Sequence, residues 1–389
     1  MERSELAEAL RAALGRDHAI AAQIGGRANV FLTDPNWGES ERAQAAAWAG
    51  RAEAADREGW LMIPSGGTSG RLKFARHDQG TIAAAAAGFL AHFGAARVSA
   101  VGVLPLYHVS GLMAWMRCAL SGGRYVEWDW KRLEAGELPA APAGWKSLSL
   151  VPTQLQRLLA LPPARDWLRG FDAVFVGGGP PWPALLDAAA EAQIPVSAGY
   201  GMTETAAMAC GQLPSEFLAG DRSSGRPLPH VKFEVNSEGV ATLAGESICR
   251  GYFGLHGGGG VVALKQGRCF ATEDYARIDG SGRVHILGRR DAVIITGGKK
   301  VDPAEVEAAL RAANLFSDLA VVGIPDREWG QAVALCYPAT DAAPSESAIA
   351  EALAGLAAYK RPRRIVPFAP WPRTPQGKLN RALLAASAK

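Results

Sequence analysis

Cysteine is scarce and scattered: Cys118, Cys210, Cys249, Cys269 and Cys336 are the only five, with no CxxC pair. An odd count at wide spacing argues against a disulfide framework or a zinc site and suits a reducing, cytoplasmic setting. An excess of either charge is also missing. Lys plus Arg number 41 and Asp plus Glu 38, leaving +3 over 389 residues, so there is no general pull toward nucleic acid or a membrane surface. Long apolar runs are absent. The longest uncharged stretch, Thr81–Ala96, is short for a bilayer span and consists largely of alanine, so it is expected as a buried helix, with no membrane insertion. The N-terminal MERSELAEALRAALGRDHA is charged, lacks the apolar core of a signal peptide and reads as an amphipathic helix. No periodic repeat is visible, and the Walker A pattern GxxxxGK[ST] is not found.

What is present is a globular composition, 48% hydrophobic and 20% charged, with length enough for two or three domains. The 45 glycines cluster, at Gly66–Gly70, Gly177–Gly179, Gly257–Gly260 and Gly297–Gly298. Several clusters follow short β-like runs: Ala173–Gly179, Val196–Gly201, Ser99–Leu106 and Lys146–Pro152. Helical segments such as Thr153–Leu161 and Trp182–Ala192 lie between them. Strands alternating with helices predict a largely parallel α/β sheet up to about Tyr200, with ligands bound where the strands end. From Arg222 to about Leu287 short alternating runs predict antiparallel β, with the character of a small barrel. Beyond Gly288 the pattern predicts a compact α+β domain. Its helix Pro303–Ala312 has Asp302 as N-cap and Pro303 at its first position, and a second helix spans Glu346–Ala358. The closing PFAPWPRTPQGKLNR is too rich in proline for a regular element.

Four segments can carry chemistry. SGGTSGRLK, Ser65–Lys73, has the glycines, hydroxyls and lysine of a phosphate cradle, and equally the composition of a mobile loop. GYGMTETA, Gly199–Ala206, follows a strand. Tyr200 could stack on a base, and Thr203 and Glu204 are hard oxygen ligands for Mg²⁺ beside phosphates; alternatively Thr203 caps a helix whose dipole favours Glu204. In Phe270–Glu307, Asp274 could accept from both hydroxyls of a ribose with Arg289 assisting, or the two are a turn residue and a surface charge. In TPQGKLNR, Lys378 could reach from a glycine loop into a cleft, or be a solvated surface lysine.

In this order the four segments resemble the adenylate-forming superfamily of acyl-CoA synthetases, peptide-synthetase adenylation domains and luciferases. SGGTSGRLK is similar to its S-G-T-T-G-x-P-K loop, GYGMTET to its Y-G-x-T-E motif, GRRDAVIITGGKKVDPAEVE to its hinge motif, and TPQGKLNR to its closing motif. The sequence departs from the pattern at Leu72 in place of proline, at Glu273 in place of the glycine of T-G-D, and at Ile295 in place of the hinge lysine. It also has fewer residues before Ser65 than is usual. The resemblance implies an N-terminal domain over 1–290, of helix-covered β-sheets with a barrel-like part, and a small mobile α+β domain over 291–389, hinged at Asp291. It implies ATP contacts from Ser65, Gly66, Gly67, Thr68, Ser69, Gly70 and Lys73, from Gly177, Gly178 and Gly179, from Tyr200, Gly201, Met202 and Thr203, and from Asp274 and Arg289. Mg²⁺ is implied at Glu204 and Thr68. Catalytic roles fall to Lys378, His108 and Glu204, and Gly297, Gly298 and Lys299 are implied to approach the site, and coenzyme A, in a second conformation.

The segment Leu104–Gly123, with His108-Val109-Ser110-Gly111 and then Arg117, and the segment Ser149–Leu159 are similar to the 2-succinylbenzoate–CoA ligases of menaquinone and phylloquinone biosynthesis. That likeness makes His108, Ser110, Arg117 and Gly199 the acyl-site residues. A dicarboxylic substrate needs a cation if its unreactive carboxylate is buried, and Arg117 could supply it or reach out to solvent. The implied partners are a small carboxylic acid, ATP and CoA, with no nucleic acid and room for a homodimer. Another aryl- or dicarboxylate-CoA ligase and a carrier-loading adenylation enzyme are the alternatives. No carrier-like sequence follows Lys389, which favours free CoA as acceptor.

Overall fold

The structure, a computed structural model, describes residues 1–49, 59–65, 72–253, 261–262, 269–373 and 379–388. Gly66–Gly70 of the first motif, Gly257–Gly260 and Lys378 lie outside the described residues. The chain forms two compact units. One holds Met1–Pro181, Leu185–Thr272 and Arg277–Ile286; the other holds Trp182–Ala184, Glu273–Ala276 and Leu287–Lys389.

The first unit is built on a seven-stranded sheet. Its order is Arg226–Pro227, Ala207–Gly211, Val196–Met202, Ala173–Val176, Trp145–Leu150, Val98–Gly102, Tyr125–Glu127. From Tyr125–Glu127 to Val196–Met202 every pairing is parallel, as the strand–helix alternation predicts. Beyond Val196–Met202 the sheet turns antiparallel. Val98–Gly102 and Ala173–Val176 are buried along their whole length, as expected where both faces of a parallel sheet are covered. Thr81–Ala96 is a helix from Gln79 to Phe93. Asp78 and Thr81 form a reciprocal capping box at its start, and Gly94 ends it in the left-handed region at φ 61°.

A second sheet, Val30–Phe31, Leu61–Ser65, Lys73–His77, Tyr252–Phe253, Val261–Val262, was not anticipated from the sequence. Leu61–Ser65 and Lys73–His77 form an antiparallel pair whose register sets Ser65 opposite Lys73. Leu72, where the resembling motif has proline, is buried with Trp37, Trp48 and Phe74, which accounts for an apolar side chain there. The stretch 222–287 is antiparallel β as expected, and its strands divide. Val231–Val235, Val240–Gly245, Cys269–Ile278 and Val284–Arg289 form a four-stranded sheet, while Tyr252–Phe253 and Val261–Val262 join the second sheet.

The N-terminal segment folds as the helices Arg3–Leu14 and Ala19–Gly25. Leu6, Leu10, Ala13 and Ile24 pack with Leu112, Trp115 and Met116 of the helix Val109–Ser121 in one apolar core. Trp115 Nε1 donates to the Leu10 carbonyl at 2.9 Å. Gly111 of the H-V-S-G segment is demanded by close approach: a Cβ there would lie 2.3 Å from the Pro105 carbonyl oxygen. Among the described residues no helix is long and apolar enough to cross a membrane.

In the second unit the sheet runs Lys299–Val301, Ile294–Thr296, Gly330–Pro338, Ala320–Asp326, and Arg364–Phe368 pairs in parallel with Gly330–Pro338. Strand alternation separates two cores. Val321, Val333 and Leu335 face Val306 and Leu310 of Pro303–Ala312 and Ile349 of Glu346–Ala352. Ala320, Val322 and Ala334 face Leu384 of a helix, Arg381–Ser387, that the proline-rich sequence before it concealed. Asp302 caps Pro303–Ala312 by accepting from Ala304 N, as expected.

Replacing the fully buried Trp115 by Ala should cost about 3–5 kcal/mol, and by Phe about 1–3 kcal/mol, because the Leu10 carbonyl loses its donor. Urea unfolding followed by circular dichroism measures both; equal stability of all three proteins would contradict the packing of the N-terminal helices described here.

Candidate nucleotide and acyl site

The sheet pairing brings the first two motifs together. Glu204 sits in a short 3-10 turn, Thr203–Thr205, that follows Val196–Met202. Met202, not Thr203, occupies the capping position, so the alternative in which Thr203 caps an ordinary helix does not apply. Ala206 and Ala207 then have φ of 52° and 75°, a conformation that costs L-residues roughly 1–2 kcal/mol each. Thr205 Oγ1 bonds back to the carbonyls of Met202 and Ala207 at 3.0 and 2.6 Å and helps hold the turn.

The Glu204 side chain is 4% exposed. Its Oε1 accepts from Ser65 Oγ at 2.7 Å and from Tyr252 Oη at 2.8 Å, and Lys73 Nζ stands 3.6 Å away. Lys73 also lies over the Tyr252 ring, 4.3 Å from its centroid. Burial pushes the carboxyl pKa up. The Lys73 charge, then the Ser65 and Tyr252 hydroxyls, outweigh it and hold the group below its usual range. Glu204 is therefore a buried carboxylate kept ionised. The Tyr252 phenol is pushed up, first by burial and then by Glu204.

Behind the turn, His77 is fully buried. Its Nε2 is 2.8 Å from the Thr203 carbonyl, so Nε2 carries the proton and donates; Nδ1 is 3.0 Å from Thr81 Oγ1. Cys249 N donates to the Glu204 carbonyl at 2.8 Å. Asp78 receives Arg250 in two bonds, of 2.6 and 3.2 Å. The sequence reading missed Tyr252 and His77. Tyr252 belongs to no motif, and only the pairing of Phe253 with Phe74 and of Tyr252 with Ala75 places it here.

Gly177, Gly178 and Gly179 follow the strand Ala173–Val176, and a methyl group on Gly177 or Gly179 would meet nothing within 4 Å. Gly177 and Gly179 therefore border open space at a strand end, the place where parallel α/β sheets bind ligands. Gly199, Tyr200 and Gly201 lie within Val196–Met202, and the Tyr200 ring meets Phe233 edge-on, centroids 6.0 Å apart. His108 is the N-cap residue of Val109–Ser121, with its ring 4.8 Å from that of Tyr107, and Ser110 lies in that helix's first turn. Arg117, on the same helix, is 5% exposed. Its guanidinium lies 3.9 Å from the Phe89 ring centroid, and its Nε has no hydrogen-bond partner. Burial lowers its pKa to about 10. Arg117 does not snorkel to water.

In the second unit Asp274 lies within a strand, not a turn, is 7% exposed, and has Arg289 Nη1 at 3.5 Å. Glu273 pairs with Arg290 at 2.8 and 3.1 Å. Gly297 and Gly298 have φ of 54° and 74° and form the turn that presents Lys299, whose Nζ is 4.6 Å from the Tyr359 ring centroid. The backbone of Asp291 lies in the 3-10 turn Arg290–Ala292.

A parallel α/β sheet with glycines at its strand ends and an anchored, ionised carboxylate beside a lysine places the chain among α/β proteins whose ligands bind at the strand ends. The chain belongs to the AMP-binding enzyme family, which matches residues 3–253, and the C-terminal domain of AMP-binding enzymes matches residues 305–378. It is similar to a Mycobacterium tuberculosis protein named as a probable 2-succinylbenzoate–CoA ligase, 31% identical over 85% of each chain. It is also similar to the 2-succinylbenzoate–CoA ligase of Listeria monocytogenes, 30% identical over 72% of this chain and 59% of that one; the chain spans about three fifths of that relative. The o-succinylbenzoate CoA synthetase of Bacillus subtilis, solved in complex with its acyl-adenylate intermediate, shares the fold with TM-score 0.73 at 24% identity, over 91% of this chain and 77% of that one.

Burial holds the His77 pKa down to about 4 from 6.5. A folded value below the unfolded one means the stabilisation is complete above about pH 6.5 and is lost as pH falls toward 4. The span of about 2.5 units amounts to roughly 3 kcal/mol. His77→Gln, which cannot charge, should lose less stability than the wild type between pH 7 and pH 4 in urea titrations. Parallel pH profiles for the two proteins would contradict the assignment.

Proposed function

We propose that this chain is an ATP-dependent acid–CoA ligase and that its acid is 2-succinylbenzoate, made into 2-succinylbenzoyl-CoA for menaquinone or phylloquinone biosynthesis. The observation that carries the choice of acid is Arg117, a guanidinium buried on the helix that begins at His108, with no carboxylate paired to it among the described residues. An unpaired buried cation is costly, and a substrate carboxylate would relieve that cost. A fatty acid would not.

Two half-reactions follow from this reading. The substrate carboxylate attacks the α-phosphorus of ATP and pyrophosphate leaves; the CoA thiol then attacks the acyl-adenylate and AMP leaves. The donor set fits magnesium carried in with the nucleotide. Among the described residues no group of three or more His, Cys, Asp or Glu could hold a metal by itself, and one ionised carboxylate, Glu204, is what a phosphate-bound Mg²⁺ uses. When bound, that ion would neutralise phosphate charge. Lys73, 3.6 Å from Glu204, would give its charge to the phosphates, and Ser65 and Tyr252 would keep Glu204 in place. Gly66–Gly70 with Thr68 would wrap the phosphates, Gly177–Gly179 and Tyr200–Thr203 would line the nucleotide, and Asp274 with Arg289 would hold the ribose. Lys378 would bridge two mutually repelling anions, the carboxylate and the α-phosphate, in the first step only. A turn of the C-terminal region about Asp291 would then withdraw it and bring Gly297–Lys299 toward CoA.

ATP-dependent pyrophosphate release over a panel of acids, followed by AMP formation dependent on free CoA, tests the reading; 2-succinylbenzoate should be the best substrate, and a preference for long-chain acids or a need for a carrier protein would overturn it. Lys378→Ala should abolish adenylate formation yet leave thioester formation from supplied acyl-adenylate largely intact, and equal loss of both would contradict a role in one step. Arg117→Leu should raise KM for 2-succinylbenzoate by one to two decades, the worth of a charge-assisted hydrogen bond of about 1.5–3 kcal/mol, with KM for ATP nearly unchanged. An unaltered preference for 2-succinylbenzoate over the analogue without the ring carboxylate would make Arg117 structural.

A further inference from the structure

We infer that His230 is a second specificity-determining residue, donating a hydrogen bond to the same substrate carboxylate that Arg117 is proposed to receive; the inference rests on that reading of the acid. His230 comes from a different part of the chain, immediately before the strand Val231–Val235. Its ring lies against Gly88 of the helix Gln79–Phe93, where any side chain would clash with it: a Cβ on Gly88 would be 1.8 Å from His230 Nδ1. The next residue, Phe89, is the ring beneath the Arg117 guanidinium. The two side chains thus contact adjacent residues of one helix, and the Arg117 charge acts on the His230 ring.

Neither ring nitrogen of His230 makes a hydrogen bond, and Arg117 Nε makes none. The Met208 backbone is close enough to favour a charged ring but is not at hydrogen-bonding geometry. The surroundings of Phe89 are apolar, with Phe93, Phe175 and Leu228 in the same cluster. Buried polar nitrogens normally have partners; Arg117 Nε and the one protonated nitrogen of a neutral His230 are two unpartnered donors in one apolar neighbourhood, and they call for a shared acceptor.

The charge balance indicates which acceptor. Burial, then the Arg117 charge and His92, hold His230 down to about 4. His92 itself donates from Nε2 to the Gly211 carbonyl at 2.9 Å and is held down by burial. At neutral pH His230 is uncharged and keeps one N–H to donate. The pair therefore offers one positive charge and one neutral donor, which matches a single carboxylate better than a phosphate dianion.

The test compares 2-succinylbenzoate with its analogue lacking the ring carboxylate, by pyrophosphate release, in the wild type, His230→Leu, His230→Gln and Gly88→Ala, with thermal melts of each protein. His230→Leu should raise KM for 2-succinylbenzoate about tenfold, leaving KM for ATP, kcat and the analogue unchanged. His230→Gln, which keeps a donor, should recover most of the loss. Gly88→Ala should reproduce the loss with His230 still present, because its methyl displaces the ring. If the wild type prefers the dicarboxylate and His230→Leu keeps the same ratio, or if both acids are slowed alike, His230 only fills space and the inference is wrong. A wild type indifferent to the ring carboxylate overturns the reading of the acid, and this inference with it.

Discussion

An ionised carboxylate that is 4% exposed is the constraint on which the first unit's functional architecture depends. Glu204 can stay charged only if donors surround it, and each donor comes from a different element. Ser65 ends one strand of the second sheet, Lys73 starts its neighbour, and Tyr252 arrives on a third strand some 180 residues later by the order of the chain. The turn that carries Glu204 is itself fixed from behind by His77 and Cys249. Two sheets are thereby tied to one oxygen atom, and a lysine is held next to it.

The surroundings of Arg117 follow the opposite logic. Arg117 is buried without a compensating carboxylate and rests on the Phe89 ring, a contact worth far less than an ion pair. Within one unit, then, a fully satisfied buried anion at Glu204 stands in contrast to an incompletely satisfied buried cation at Arg117.

Much of the fold was legible. The alternation of strands and helices through Tyr200, the buried alanine helix and the Asp302–Pro303 helix start all follow from period, capping and proline geometry, which are local. The Leu61–Ser65 and Lys73–His77 pair was not legible as a sheet, because its partners Val30–Phe31 and Tyr252–Phe253 are far apart in sequence. The helix Arg381–Ser387 was hidden because its stability comes from Leu384 packing under the sheet and from Arg381 binding Glu307 at 2.5 and 2.8 Å, neither of which is a local signal.

For the site, the sequence by itself determined the residue types: a serine–glycine run with Lys73, the turn bearing Glu204, Asp274 with Arg289, and an arginine nine residues after His108. It could do so because those motifs are contiguous, and chemistry that needs several donors within a few residues leaves a local trace. Only the tertiary structure decided that Ser65, Lys73 and Tyr252 converge on one oxygen of Glu204, that Arg117 points inward, and that His230 lies against Gly88 beside it. Those facts depend on burial and on pairing between distant strands, and the free energy of a buried charge is set by its surroundings in space, which the order of residues along the chain does not specify.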